Sequence, residues 1–566
     1  MLTDYNLKEE YLQGRISRRQ FIQLALGLGV SMSAISAFLA GCVPVQAPSA
    51  PAPVAPSQAT AAVPSGPQNI VFAGAKEILS LDPVQQNDAD STYVYTQIHD
   101  SVAVLDQQFN VKPNLAESWK ASEDGTTYTY VFRKGVKFHD GTELKADDVV
   151  FTIDRIMANK YPEGRKKEKI NMISSYKKVD DYTVEIKLQF AYAPFPAAFG
   201  NMLIVPKAAT EKMGDAAFGK SPVGCGPFKF VEWVPNDHVT LQGFADYWMT
   251  QPKIAQFKVR PISENAVATA NLLSGDVDAI NDVVGANLKQ LQGAANKGIV
   301  ILNKPSMSYF FAGFRMVGPP FNDLRFRQAV YMATDFDAAI KALFPPEIAV
   351  RAYGPIAPGM WPRDDDYLKS NALKRDPEKA KALFQQLMTE GVMAKDYKIT
   401  IAPPPDDARI NIATVMVTNL KELGMNAEVT QVDWTAYTNL LEQGTQNVVY
   451  FLGTIPSIPD PDASIRWLFS KDGAHGRYLK ISQFKDYPTW DAQMLKAESS
   501  LNQDERAKIY LDLTRTMMQQ VYHIPLYYKN AVMAKRDWVK DLDVDPMYVW
   551  DVVKPWANVY VEGKKS

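Results

Sequence analysis

The sequence predicts an α/β protein with more than one lobe, and three observations carry that reading. Strand-like and helix-like stretches alternate from Asn69 onward with no fixed-period repeat, the pattern of mixed α/β layers. The 566 residues suggest about three domains at roughly 100–200 residues each. A chain that is 46% hydrophobic and 22% charged has ample material for large cores, which excludes global disorder.

The first segments read as an address and a tether. Residues 1–20 are polar and contain Arg15, Arg18 and Arg19, and residues 21–41 are uncharged and rich in Gly, Ala and Ser. The pair Arg18-Arg19 directly before this run resembles a twin-arginine export signal. Leu39-Ala40-Gly41-Cys42 looks like a bacterial lipobox, which makes Cys42 the expected lipidation site and 1–41 a signal peptide. An uncleaved membrane anchor is the competing reading of the same run. Residues 42–67 follow as a Pro/Ala-rich tether; 43–67 hold seven Pro and no charge or aromatic. In an extended polyproline form that spacer reaches at most ~75 Å at ~3.1 Å per residue. The expected location is therefore extracytoplasmic, lipid-anchored at the cell membrane on its periplasmic side or outer face.

In the body, 126–138 alternates through Tyr128, Tyr130 and Phe132 as a strand with one buried face. Residues 146–157 place Val149, Val150, Ile153, Ile156 and Met157 on one helical face, opened by two Asp that suit a helix N-terminus. Residues 182–189 alternate again. A helix opens at Asp376-Pro377 and stops at Gly391, a second covers 412–423, the strand AEVTQV spans 427–432, and a last long helix covers about 504–521.

Several function classes drop out. Lys plus Arg number 61 against 63 Asp plus Glu, so no basic excess argues for nucleic acid. Two Cys and five dispersed His, without HExxH or HxH, give no metal-ligand set and point to no cofactor. Gly214 to Ser221 matches GxxxxGK[ST] formally, but Pro222 and the Gly/Pro-rich stretch after it do not support the helix a phosphate loop needs, so the match is attributed to chance. No GxSxG elbow is found, and an enzyme is not expected. His139-Asp140 reads as a turn after a strand, and Cys225 as a small buried residue.

Leu115 to Phe151 (LAESWKASEDGTTYTYVFRKGVKFHDGTELKADDVVF) resembles the signature of the dipeptide- and oligopeptide-binding lipoproteins, the family 5 solute-binding proteins of ABC importers. Leu81-Asp82-Pro83, Pro222 to Phe228, Pro320 to Val330, Asp376 to Ala380 and His523 to Tyr527 support the likeness in the family's order. The resemblance implies a two-lobed periplasmic-binding-protein-like clamshell with an additional inserted domain. By it, lobe I combines 68–96, 218–315 and 531–566, the extra domain is 97–217, and lobe II is 316–530. It also implies a monomer that captures peptides or related oligomers and delivers them to ABC permease and ATPase subunits. Oligosaccharides or another non-peptide solute, and ligand sensing without transport, are the alternatives.

The resemblance transfers Asn87, Asp88, Tyr309, Phe310, Phe311, Trp434, Gly453 and Thr454 to the ligand wall, with lobe core as the other reading of the aromatics. In peptide-binding members an Asp four residues before the Pro of a D-P pair holds the peptide ammonium, and counting back from Pro461 gives Ser457 here. A buried ammonium needs a carboxylate partner. Either Asp460 or Asp462 then turns inward, or the ligand has no free amine at that place.

Overall fold

The computed structural model describes residues 68–106, 109–161, 169–281, 283, 285–444, 446–456, 458–544 and 556–564. The segments expected to be signal peptide and tether, with Cys42, and Ser457 lie outside the described residues.

Strand β1 (Asn69–Gly74) pairs in parallel with Gln256–Pro261 on one side and with Ala279–Ile280 on the other. His238–Gly243 and Phe228–Val234 extend this sheet antiparallel from Gln256–Pro261. Alternation along β1 sends Ile70 and Phe72 into a core with Phe257, Val259 and Trp556. Helix α1 (Ala89–Ile98) begins where Asp88 accepts a hydrogen bond from the Ser91 amide at 2.8 Å.

A separate four-stranded antiparallel sheet runs Ala116–Ala121, Thr127–Phe132, Thr183–Leu188, Ile173–Asp180. Tyr128, Tyr130 and Phe132 alternate inward onto the helix Ala146–Ala158. The strand expected over 126–138 stops at Phe132, because Gly135 turns at a φ of 75° and the chain folds back at Lys137–Glu143. Arg155 ties this domain to the first lobe, with its guanidinium 2.6 Å from Asp82 and 2.8 Å from Asp215.

The second sheet is built on β2 (Tyr309–Arg315), which lies antiparallel between β3 (Val448–Thr454) and the long β4 (His523–Arg536). Beyond β3 come the parallel strands Lys398–Ala402 and Asn426–Val429. β4 serves both lobes. Residues 523–529 pair with β2 and Ala349–Arg351, and residues 530–536 pair with Ile299–Pro305 and Ala279–Ile280. The architecture is a two-lobed α/β clamshell with an inserted domain, its lobes joined through β4 and the 305–309 crossing. At that crossing the Ser306 and Ser308 hydroxyls are 2.7 Å apart and both donate to the Lys529 carbonyl.

One expected boundary moves. Lobe I was expected to run to 315, yet 309–315 is a central strand of the second sheet, so the crossing falls between Pro305 and Tyr309. The apolar sequence YFFAGFR suits either sheet core, and only its ladder partners assign it. The helix expected over 412–423 spans Asp407–Glu422, since Asp406 caps it six residues before Ile412, where the expected helix began. In the rejected phosphate-loop match, the short helix Asp215–Phe218 precedes Lys220 and none starts there.

Candidate ligand-binding cleft

Period-two alternation divides the β2 aromatics between two environments. Tyr309 and Phe311 are fully buried and stacked on each other at 5.4 Å. Phe311 also meets the rings of His475 and His523, at 4.7 and 5.1 Å. Burial pushes His475 down to about 3, so both its ring and that of His523, also held far below the usual range, are neutral core members. Tyr309 and Phe311 are therefore packed in the core of the second lobe.

Phe310 faces the other way. Its ring stacks on Tyr527 at 4.6 Å, and Tyr527 meets Phe344 at 4.7 Å. Gly453 is its cross-strand partner, and a methyl group there would enter the Phe310 ring. Thr454 pairs with Tyr309 in the same ladder.

Helix α2 (Asp407–Glu422) adds Arg409. Its guanidinium carbon is 5.7 Å from the Phe310 centroid and 5.7 Å from that of Trp434, the first residue of α3 (Trp434–Gln443). Trp434 is half exposed. Trp434, Arg409, Phe310, Tyr527 and Phe344 thus form one continuous shelf. Phe344 also lines a cavity of about 830 Å³ whose walls come from both lobes: Gly285 and Lys289 from the first, Leu343, Phe344, Pro346 and Val350 from the second. That volume lies in the usual range for small-solute sites, ~300–1,000 Å³. Asn87 and Asp88 stand at the turn into α1. Asp88 is engaged as a helix cap through Oδ1, while its Oδ2 is buried without a partner among the described residues.

Asp460 and Asp462 lead elsewhere. Asp460 caps helix α4 (Pro461–Phe469) by accepting from the Asp462 amide at 2.9 Å, and pairs with Arg506 at 2.6 Å. Asp462 accepts from the hydroxyls of Tyr510 at 3.0 Å and Tyr192 at 3.4 Å. Burial, with the Asp460 charge beside it, pushes the Asp462 carboxyl up to about 7. Arg466 and Glu498 complete the group as an ion pair at 2.7 Å. Tyr192 and the Ala193 amide, which donates to the Glu498 carbonyl at 2.7 Å, come from the inserted domain. These acids lie where the inserted domain meets the second lobe, with Asp460 Oδ1 and both Asp462 oxygens engaged by protein groups.

The model of the bacterial extracellular solute-binding proteins, family 5 middle, matches residues 110–476. The chain belongs to that family. The dipeptide-binding protein of Escherichia coli is 28% identical over 465 residues, covering 77% of this chain and 84% of that one. The oligopeptide-binding protein AppA of Bacillus subtilis is 26% identical over 506 residues, covering 86% and 91%. The structure of HbpA2 from Haemophilus parasuis superposes with a TM-score of 0.77 at 22% identity, covering 87% of this chain and all of that one, and shows the shared fold.

As a family 5 member the chain is an extracytoplasmic solute-binding protein, from a family that binds for transport rather than transforming its solute. Among the described residues no helix is long and apolar enough to cross a membrane. Of the residues nominated from the sequence, Phe310, Trp434 and Gly453 lie on or against this shelf, and Arg409, Tyr527 and Phe344, which join them there, were not nominated. The available signal was Asp406-Asp407-Ala408-Arg409 after three prolines, a capped helix start that places a cation on the first turn. His139 is structural: its Nε2 lies 3.0 Å from the Gly226 carbonyl and its Nδ1 accepts from the Gly224 amide at 3.2 Å.

Proposed function

We propose that the chain is the solute-capturing subunit of an ABC importer. It takes up peptides or related oligomers between its two lobes and presents the closed form to a permease and its ATPase. The observation that carries this reading is the cavity of about 830 Å³ walled by both lobes beside the Phe310–Tyr527 shelf. Such a cavity changes shape when the lobes turn about the shared strand β4, so ligand binding and closure are one event. Lipidation of Cys42 and the 43–67 spacer hold the body at the membrane as a monomer, with the twin-arginine signal directing export.

A non-peptide solute is the second reading, favoured by one observation. The two acids nearest Ser457 in sequence already have protein partners, Asp460 in Arg506 and Asp462 in Tyr510 and Tyr192, so an ammonium there would compete with them. Mass spectrometry of the molecule released when the purified chain is denatured tests both. A peptide supports the first reading, and a glycan overturns it in favour of the second. Small-angle scattering should show compaction when the released molecule is added back; unchanged dimensions would argue against capture by closure.

A further inference from the structure

The two chain crossings between the lobes are not held by strand pairing alone. On β4 the change of lobe falls at the Lys529–Asn530 peptide: Lys529 pairs with Ala349 in the second lobe, and Asn530 with Pro305 in the first. On the other crossing, Ser306, Met307 and Ser308 lie between the ladder that ends at Pro305 and the one that begins at Tyr309. In that gap side chains supply the contacts. The hydroxyls of Ser306 and Ser308, one from each end of the crossing, converge on the Lys529 carbonyl oxygen at 2.5 and 3.0 Å. The Ser308 amide also donates to the Ser306 hydroxyl at 3.2 Å.

The N–H of the same boundary peptide points the opposite way, as in any trans peptide. It donates to the Ile348 carbonyl at 2.7 Å. The Asn530 side-chain amide adds bonds to the carbonyls of Pro346 at 3.2 Å and Glu347 at 3.0 Å. A residue paired with the first lobe is thus bonded to three consecutive carbonyls of the second. Ser306, Ser308 and Asn530 are all buried, so water does not replace a bond that breaks. Hydrogen bonds weaken steeply away from linear geometry, and a carbonyl oxygen that gathers two donors keeps both only over a narrow range of twist. Turning the lobes about the 529–530 peptide twists the crossing chains around each other and draws Asn530 off Pro346 and Glu347. Each buried donor or acceptor left unmet resists that turn.

We propose that Ser306, Ser308 and Asn530 form a hinge lock, which fixes the peptide at the lobe boundary and holds the lobes of the solute-free protein in one arrangement. Pro346 also walls the cavity, so the lock shares a segment with the solute site. The inference rests on the proposed capture between lobes that turn about β4, and it adds what sets their resting arrangement.

The test measures the distance between the lobes in the full chain, freed of solute by unfolding and refolding. Genetically encoded spin labels replace the exposed Lys297 of the first lobe and Lys421 of the second. The solute-free parent should give one narrow distance distribution. With Ser306→Ala, Ser308→Ala and Asn530→Leu combined, a second distance should appear, the population of the other arrangement rising about tenfold or more. Thr240→Val removes a buried hydroxyl within the first-lobe sheet, away from both crossings, and should leave the distribution unchanged. Unfolding curves establish that each variant is folded; if the triple variant is not, Ser306→Ala with Ser308→Ala is read in the same way. A broad distribution in the solute-free parent, or a variant distribution that matches the parent's, overturns the lock. So does an equal change in Thr240→Val, which would make the effect a general loosening. If, besides, neither chain moves when the molecule released on denaturation is returned, capture by closure fails as well; movement then, with no difference between the solute-free chains, overturns the lock alone.

Discussion

Two charged regions of the second lobe, both beside the chain that follows β3 or the helix before it, have opposite designs. Around Asp460 and Asp462 every charge is met inside the protein: Arg506 on Asp460, Tyr510 and Tyr192 on Asp462, Arg466 on Glu498. On the shelf, Arg409 keeps two nitrogens unpaired between rings. Removing one partner from a fully paired buried charge is costly, whereas a charge with an open edge near solvent loses less when it is removed. The two regions should therefore respond oppositely to substitution: the first in stability, the second in binding.

The largest effect expected is from Arg506→Ala. It leaves Asp460 buried and unpaired, and breaking such a pair typically costs about 3–5 kcal/mol. Denaturant unfolding should show that loss, with ligand affinity of the folded fraction kept within about twofold. A loss under 1 kcal/mol would mean the acidic group is not a structural seal.

Next is the pH dependence carried by Asp462. Its folded pKa of about 7 lies above its unfolded value, so the folded state holds the proton more tightly. That contribution is complete below the unfolded pKa, near pH 4, and is lost as pH rises through about 7. Asp462→Asn removes the titration. Relative to the variant, the parent should lose up to roughly 4 kcal/mol of stability between pH 4 and pH 7.5 by this linkage. A difference independent of pH would show that Asp462 titrates as an ordinary carboxylate.

How much of this was legible beforehand depends on which physical rule each feature obeys. The helices were, because Val149, Ile153 and Ile156 or Ala380, Phe384 and Leu387 repeat at helical spacing. The aromatic run at 309–311 was legible as apolar but not by face. Alternation guarantees that Phe310 opposes its neighbours, while only the pairing of Phe310 with Gly453, across a ladder 143 residues away, decides which side holds the ring. Asp460-Pro461-Asp462 has the form of a helix start, cap residue then proline at the first position, and that local role accounts for Asp460 without a ligand. Its partner Arg506 arrives from a helix 46 residues on, and Tyr192 from another domain. Neither is visible in local sequence.

A smaller effect tests the shelf through its backbone. Gly453→Val places a branched side chain against the Phe310 ring, which is already stacked on Tyr527. Overpacking of this kind costs about 1–3 kcal/mol. The displaced ring also takes one wall from Arg409, so affinity should fall several-fold together with stability. Loss of stability with unchanged affinity would detach Phe310 from the ligand wall and leave it as packing alone.

The smallest expected change is in the stability of Arg409→Met, and it is the sharpest contrast with Arg506. Methionine keeps much of the volume between Phe310 and Trp434 and removes a guanidinium that is largely withdrawn from water with a half-used hydrogen-bonding edge. What is lost is two ring contacts, of order 0.5–1 kcal/mol each, and an exposed-edge pairing to Asp406. What is relieved is the partial desolvation of a cation whose one ion pair is to the exposed Asp406. The two effects oppose each other, so unfolding of the ligand-free variant should stay within about 1 kcal/mol of the parent, with either sign. The same assay with ligand present reads any part Arg409 has in binding, because ligand stabilises the chain that binds it by RT ln(1 + [L]/Kd). A ligand-free loss as large as that of Arg506→Ala would place Arg409 with the structural charges and erase the difference between the two regions.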